Sequence, residues 1–493
     1  MSKKHLFGLI LLACGTLSMA QTPVRLLSLQ EAISLARSQS PVAKQAETRL
    51  ENRYWQYRLF RADFKPQLEL SGNVPGYNRD FFSNRLDDGT IAFQSREQFN
   101  SILNLGIDQP LAFSGGNVSI NTNLNYFRDL QQDLTRFNTT IVNIRLDQPL
   151  FGFNQFKWDK RTEPIRYEES KRSYVEEIEF LSREAVSFFF DYLDAQINRQ
   201  IALFNLQSND TIYKIEQGRY NIGTTSRDKL LQVELQLLRS EQDVIQAQLD
   251  LENSGQQLRA YLGIPTGDSL LLERPLGIPF FEIAMADAVN YARMNRADYI
   301  AFERTRLEAE RDVAQARAAR LQTNFVASYG LNSASTELGA SYQDGNEQQR
   351  LDIGLRVPIL DWGRNKARIQ TALANQQLNA YVIEQDLQNF EQEIMTLVRQ
   401  FAVLRNQLRI AERSDQVATE RYEVAQNRYL TGKVDITDLN IALSEKDQAK
   451  RSYVKALRDF WIAYYDLRRL TLYDFENGKL LYNPEVTYGR HSE

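Results

Sequence analysis

A mainly helical chain that also carries membrane-facing β-strands, laid out as a tandem repeat, is the fold class the sequence predicts. Three observations lead to it. Apolar residues keep a 3.5-residue period over a very long stretch, two-faced strand segments sit directly before such stretches, and the motifs recur in the same order in the two halves of the chain.

The clearest long stretch runs from about Gly363 to Tyr429. Ile383, Leu387, Phe390, Ile394, Leu397, Phe401, Leu404, Leu408 and Ala411 follow one another in 4-3 steps. Asp415 interrupts the row, and Ala418, Tyr422, Ala425 and Tyr429 resume it. A heptad seam of this kind makes a helix supercoil against its neighbours. About 67 residues at ~1.5 Å each reach roughly 100 Å, a rod longer than ordinary globular domains use. Taken alone, the rod also fits a soluble coiled coil. The preceding segment Leu351-Asp352-Ile353-Gly354-Leu355-Arg356-Val357-Pro358 changes that reading. Its odd positions are apolar and its even positions are charged or Gly, until Pro358 ends the strand. A two-faced strand feeding such a rod fits a β-barrel in a membrane with a helical tube outside it.

At the start of the chain, Lys3 and Lys4 precede an apolar run from Leu6 to Ala13, and Ser18-Met19-Ala20 is a small-x-small site. Residues 1–20 therefore read as a secretory signal peptide cut before Gln21. Processing as a lipoprotein at Cys14, after Leu11-Leu12-Ala13, is the alternative. With cleavage after Ala20 the only cysteine is lost, and disulfide and thiolate chemistry go with it. The two histidines, His5 and His491, lie near the ends, so histidine catalysis and histidine metal sites are excluded from the folded body. Loss of Lys3 and Lys4 moves the formal net charge from -4 to -6, and a nucleic-acid partner would call for a basic face. No later apolar run approaches 18 residues, so insertion into a membrane falls to strands.

Leu146-Asp147-Gln148-Pro149 and Arg219-Tyr220-Asn221-Ile222-Gly223 recur, 209 positions on, as Leu355-Arg356-Val357-Pro358 and Arg428-Tyr429-Leu430-Thr431-Gly432. Thr48-Arg49-Leu50-Glu51 recurs as Thr305-Arg306-Leu307-Glu308. Repeat 1 covers 21–262, with barrel strands at about 67–149 and long helices at about 153–262. A Pro/Gly-rich linker spans 263–281. Repeat 2 covers 282–473, with strands at about 323–357 and long helices at about 363–472, and a tail covers 474–493. In each repeat one long helix equals two shorter ones end to end, which predicts four helical columns of equal height. Pro164 is expected to bend the first long helix near its start. Short helices at Leu29 to Ser38 and Ile283 to Met294 are expected to join the linker and tail as a collar.

The strand segments repeat one pattern. From Asn117 to Tyr126 even positions are apolar or Thr and odd positions Asn or Ser. Val142, Ile144 and Leu146 alternate with Asn143 and Arg145, and Ser101, Leu103, Leu105 and Ile107 with Asn104, Gly106 and Asp108. Phe325, Ala327, Tyr329 and Leu331 continue the pattern in repeat 2. Alternation over about ten residues, with aromatics near strand ends, matches outer-membrane barrel strands. Four strands in the first half and two in the second are too few to close a barrel alone. Open edges cannot sit in lipid, so copies of the chain must share one barrel. If an extra hairpin at 100–127 stays out of the wall, the count falls to four per chain.

Over nearly the whole mature chain the sequence resembles the TolC-like outer-membrane efflux family. The resemblance rests on the duplicated strand-Pro-long-helix unit, the paired turns ending at Gly223 and Gly432, and the Asp/Leu stretches that follow each, Asp228 to Gln232 and Asp435 to Asn440. It implies a homotrimer with a pooled β-barrel in outer-membrane lipid, continuous with a long α-helical periplasmic barrel. It also implies docking to a periplasmic adaptor (membrane fusion) protein and an inner-membrane transporter. Two strands per repeat is the family norm, so the extra hairpin is a departure. In the family the two turns form a periplasmic tip that docks and gates. In this chain the tip is expected to comprise Arg219, Tyr220, Gly223, Arg227, Asp228, Arg428, Tyr429, Gly432, Lys433, Asp435 and Asp438. The family's latch keeps Tyr429, but Val434 stands in place of its Arg and Lys229 in place of its Asp. Arg227, Asp228, Lys433 and Asp435 are expected to supply a substitute. Asp438 matches the family's acidic constriction ring, whose second acidic position falls on Ile441.

The function expected is a passive exit duct for an export or efflux pump. No glycine-rich phosphate loop with Lys-Ser/Thr is present, so neither a cofactor nor an internal energy source is expected. The competing class is a structural coiled-coil trimer of the surface or envelope, which predicts no two-faced strands and no tandem duplication. An enzyme is not expected: carboxylate pairs such as Glu176/Glu177 are easily found among 63 acidic residues and read as wet helix faces.

Overall fold

The structure, a computed structural model of the protein, describes residues 25–265, 270–275 and 277–484. The signal-peptide reading with its alternative at Cys14, and residues 485–493 of the tail, lie outside these residues. The first half runs β1 (Arg25–Leu27), α1 (Leu29–Gln39), α2 (Pro41–Asp63), β2 (Gln67–Asn73), β3 (Tyr77–Arg85), β4 (Ile91–Leu111), β5 (Gly116–Asp129), β6 (Leu134–Pro149), α3 (Gln155–Asn221) and α4 (Arg227–Leu262). The second runs β7 (Leu270–Leu272), α5 (Met285–Asn295), α6 (Ala297–Ala318), β8 (Gln322–Ser335), β9 (Asn346–Arg356), α7 (Arg364–Leu430), α8 (Ile436–Thr471), β10 (Tyr473–Asp474) and β11 (Lys479–Leu480). Helices α3 and α7 have 67 residues each, and α4 and α8 have 36 each. Pro164 lies inside α3, which continues through it from Gln155 to Asn221.

Two compact units are present, one formed by the segments up to Lys44, Ile178–Phe281 and Gln400–Asp466. Within this unit the long helices lie in the order α4, α3, α8, α7. Asn209 of α3 donates to Ser240 of α4 at 2.6 Å, Arg458 of α8 pairs with Asp191 of α3 at 2.7 Å, and Lys450 of α8 pairs with Asp415 of α7 at 3.0 Å. The last contact accounts for the break in the heptad row: Asp415 is a seam residue whose charge has a partner on the facing helix. Phe401, Leu408, Tyr422 and Tyr429 of that row are buried. Phe189 and Phe190 of α3, Leu258 and Leu262 of α4 and Phe460 of α8 are almost fully covered, each contributing about 1.5–3 kcal/mol of burial. Gly255 lets α4 approach α3, since a Cβ there would stand 2.9 Å from the Tyr192 ring.

The linker is less irregular than its Pro/Gly content suggests, because β7 pairs in parallel with β1. The Leu270 carbonyl accepts from the Tyr192 hydroxyl at 2.9 Å and from Gln196 Nε2 at 3.2 Å. Three residues per strand are too few to show a period, so the pair is defined by its own register and by the contacts of Leu270 with α3. Helix α1 opens on a capping box, with Ser28 Oγ accepting from the Glu31 N–H at 3.3 Å and the Glu31 carboxylate accepting from the Ser28 N–H at 2.9 Å.

The second unit comprises Gln45–Glu177, Glu282–Arg399 and the segment from Leu467 onward. Its antiparallel sheet has the order β2-β4-β5-β6-β8-β9, with β3 also on β4. Because Gln67–Asn73 and Tyr77–Arg85 pair in turn along Asp108–Ile91, β2 and β3 are one strand column broken at residues 74–76. The sheet therefore has six columns, four from the first half and two from the second. The expected extra hairpin, β4–β5, is interior to it, paired on both sides. Both neighbours of β6 shift register near Ile141, the mark of a β-bulge in that strand. No helix among the described residues is long and apolar enough to cross a membrane.

In the same unit Tyr57 of α2 stacks on Tyr167 of α3, with centroids at 4.9 Å, and Arg304 of α6 forks onto Glu169 of α3 at 2.5 and 3.1 Å. The tail forms the small β10–β11 hairpin, and Tyr482 beyond it is buried against Val175 and Leu472 under the Arg172 guanidinium.

Candidate functional site

The turns α3–α4 and α7–α8 of the first unit are built alike. Gly223 and Gly432 have φ +75° and +71°, the left-handed region that costs glycine nothing. The Gly223 N–H donates to the Tyr220 carbonyl at 3.0 Å and the Thr224 N–H to the Arg219 carbonyl at 2.9 Å. Gly432 to Tyr429 and Lys433 to Arg428 repeat this pair of bonds, each at 2.9 Å. This is the Schellman closure, which satisfies the last helix carbonyls and reverses the chain. Ser226 then caps α4, accepting from the Lys229 N–H at 3.3 Å.

Between the two turns lies a compact polar network. The Tyr429 hydroxyl donates to Glu216 Oε1 at 2.6 Å, and Arg219 Nη1 donates to the same oxygen at 2.7 Å. The Arg219 guanidinium lies 5.3 Å from the Tyr429 ring centre, and its Nη2 reaches the Tyr429 carbonyl at 3.5 Å. Tyr429 and Glu216 are 3% and 4% exposed. Burial opposes the charge on Glu216, but the hydrogen bonds from Tyr429 and Arg219 outweigh it and hold the carboxyl below its ordinary range. Burial and the bond to Glu216 push the Tyr429 phenol well above its own. The network is a buried carboxylate with one charged and one neutral donor, an arrangement that rigidifies when complete.

Apolar packing backs it. Ile212, Val233, Tyr422, Tyr429, Ile436, Leu439, Ala442 and Leu443 form one buried cluster, against which Val434 packs. Val434 thus serves the core where the family pattern has an Arg.

Of the residues expected to act at the tip, the structure joins Arg219 and Tyr429 through Glu216, and it places Gly223 and Gly432 at the reversals. Tyr220, Arg227, Asp228, Arg428, Lys433 and Asp438 stand exposed. The substitute latch differs from expectation. Asp435 pairs with Lys229 at 3.3 Å rather than with Arg227 or Lys433, so the link between the turns has acid and base exchanged relative to the family's latch. The Ile436 N–H and the Lys229 ammonium hold the Asp435 carboxyl below its usual range. Lys229 is the third residue after the Ser226 cap, and its ammonium is the group that reaches Asp435. Sequence reading missed Glu216. One signal was available: an acid near a helix C-terminus opposes the macrodipole and calls for a partner, here Arg219 three residues on.

Residues 117–264 and 289–471 match the family described as Outer membrane efflux protein. The chain belongs to that family. Its place is the outer membrane, extending into the periplasm, and the family is one of channels rather than enzymes. The fold class expected from the sequence, a trimeric outer-membrane β-barrel continuous with a long α-helical barrel, is that of this efflux family. Cation efflux system protein CusC of Escherichia coli O6:H1 is 24% identical over 271 residues, 53% of this chain and 56% of that protein. Probable outer membrane lipoprotein SilC of Salmonella typhimurium is 26% identical over 231 residues, 46% of this chain and 48% of that protein. The chain thus spans about half the length of these two relatives. Among solved structures, the Campylobacter jejuni CmeC outer membrane channel superposes with a TM-score of 0.66 at 16% identity, covering 92% of this chain and 87% of that one. The open state of the Neisseria gonorrhoeae MtrE outer membrane channel gives 0.60 at 18% identity, covering 90% and 88%.

Proposed function

We propose that the protein is the exit duct of a tripartite export system. It conducts solutes passively to the exterior from an inner-membrane transporter and a periplasmic adaptor. The observation that carries this reading is the two-faced sheet. On one face Asn121 donates to Asn104 at 3.3 Å and Asn143 to Asn121 at 3.0 Å, a ladder of amides across three strands. On the other, Leu68, Ile107, Ile120, Ile144 and Tyr329 form a continuous apolar row. A wet inner and a greasy outer face are what a lipid-embedded pore needs.

Side-by-side assembly of three chains is supported by the outermost helices. Leu231, Leu238 and Ile245 on α4 recur every seventh residue, as do Val403, Ile410, Val417 and Val424 on α7. All are about half exposed or more in the single chain, Ile245 at 73% and Ile410 at 59%. Run antiparallel, the two rows meet in one heptad register, so α4 of one copy fits α7 of the next.

In this reading the turns are the docking and gating tip, closed by Tyr429, Glu216 and Arg219 and by Lys229–Asp435. The exposed Tyr220, Arg227, Asp228, Arg428 and Lys433 face the adaptor, and Asp438 adds negative charge at the first turn of α8. The amide ladder is neutral and singles out no cargo, so the cation efflux of CusC is not carried over. Single-channel recording of the purified protein in planar bilayers tests the duct. Steady currents support it, and a bilayer that stays sealed to both the unmodified protein and a double variant lacking the tip contacts, Tyr429→Phe with Asp435→Lys, with correctly folded protein present, overturns it. A photo-crosslinker at Arg428 or Asp228 in cells tests docking: an adduct with a periplasmic adaptor supports the tip assignment, and adducts only with other envelope proteins overturn it.

A further inference from the structure

Building on the channel reading, we propose that the β4–β5 hairpin is barrel wall, and that three copies close an eighteen-stranded barrel by pairing β9 of each with the β2–β3 edge of the next. The partner is a second copy of this chain, and the surfaces are the two open edges of one sheet.

Three observations carry the inference. First, β4 and β5 pair with each other from Gln98–Asp129 down to Leu111–Gly116, while β2 and β3 cover the far side of β4 and β6 the far side of β5. Removing the hairpin from the wall would cut the sheet in two. Second, the hairpin shares both faces of its neighbours. Ile107 and Ile120 continue the apolar row from Leu68 to Ile144, and Asn104 and Asn121 supply two of the three rungs of the amide ladder. A hairpin standing in water or folded over a pore has no reason to match that alternation residue for residue.

Third, the edges are open, and they are apolar along β2 and along Leu351–Leu355 of β9. Strand β9 pairs only with β8, and β2 and β3 only with β4, among the described residues. Leu68 and Leu70 at one edge are 68% and 63% exposed, and Leu351, Ile353 and Leu355 at the other 69%, 66% and 67%. Backbone N–H and C=O groups at such edges cannot remain unpaired in hydrocarbon. Six strands do not close on themselves, since single-chain barrels begin at about eight. The six columns alternate in direction, so β9 runs opposite to β2 and meets the next copy's β2–β3 edge antiparallel.

With strands ~4.8 Å apart and tilted ~40°, eighteen of them give a wall about 36 Å across, against about 24 Å for twelve. Cryo-electron microscopy of the full-length protein in nanodiscs reads the count directly. A three-fold particle with eighteen strands and the wider wall is the expected result. A three-fold particle with twelve strands overturns the proposal while leaving the duct intact, and absence of a three-fold channel overturns both. Thiol labelling in membranes gives an independent readout. Asn121→Cys should react with a water-soluble maleimide and Ile120→Cys only with a membrane-soluble one. Equal reaction of both with the water-soluble reagent places the hairpin outside the wall and overturns the proposal.

Discussion

Tyr429 and Glu216 are 213 residues apart in sequence and meet at 2.6 Å, hydroxyl on carboxylate, both buried beside the apolar cluster to which Tyr429 belongs. The bond ties the end of α7 to the end of α3, so the two reversals of the chain are held by one buried acceptor.

Tyr429→Phe keeps the ring beside Arg219 and removes only the donor. Loss of one donor to a buried acceptor costs about 1–3 kcal/mol, while trimer formation should be unaffected. The resting conductance in planar bilayers is expected to rise several-fold. Conductance equal to that of the unmodified protein means the bond does not hold the tip.

Lys229 and Asp435 are half exposed, at 47% and 52% for their side chains. Such a pair contributes at most about 1 kcal/mol and is weakened by salt. Asp435→Lys alone should raise the resting conductance modestly, and adding Lys229→Asp should restore it. The difference should fade in 1 M salt, where the Debye length is about 3 Å. A single substitution that leaves conductance unchanged at low salt removes the pair from the gate.

Burial pushes Glu176 up to about 7 even with Arg296 at 3.7 Å and a hydrogen bond from the Ala297 N–H at 2.8 Å. Its folded value lies above the unfolded one of ~4.3, so its contribution to stability is full below pH ~4.3 and is lost as pH rises to about 7. The change amounts to roughly 3 kcal/mol. Thermal unfolding should therefore move to lower temperature between pH 5 and 8, and Glu176→Gln should flatten that slope. Parallel slopes in the two proteins contradict the assignment.

Ile245→Glu on α4 or Ile410→Glu on α7 places a charge at a position that is open in the single chain. Helical content by circular dichroism should stay the same, while size-exclusion chromatography should show loss of the trimer. A trimer that survives both substitutions rules out the α4–α7 seam.

The long helices, their heptad rows and their glycine reversals were legible because each is set by neighbours within a turn or two. Periodicity at Phe401 or Leu408 and the left-handed requirement at Gly432 are local properties of the chain. The two-faced strands were legible for the same reason. The β1–β7 pair was not, since three residues carry no period, and neither was the role of Val434, which depends on what packs around it.

The sequence by itself determined the tandem plan, the lengths of the rods, the alternation of the strands and the two turns, because all of these follow from the spacing of residue types along one segment. Only the tertiary structure decided that Glu216 joins Arg219 and Tyr429, that Asp435 pairs with Lys229, and that β4 and β5 lie inside the sheet. Those facts depend on which distant segments meet and in what register. Register is set by the summed packing of many weak contacts across hundreds of residues, and no short window of sequence holds that sum.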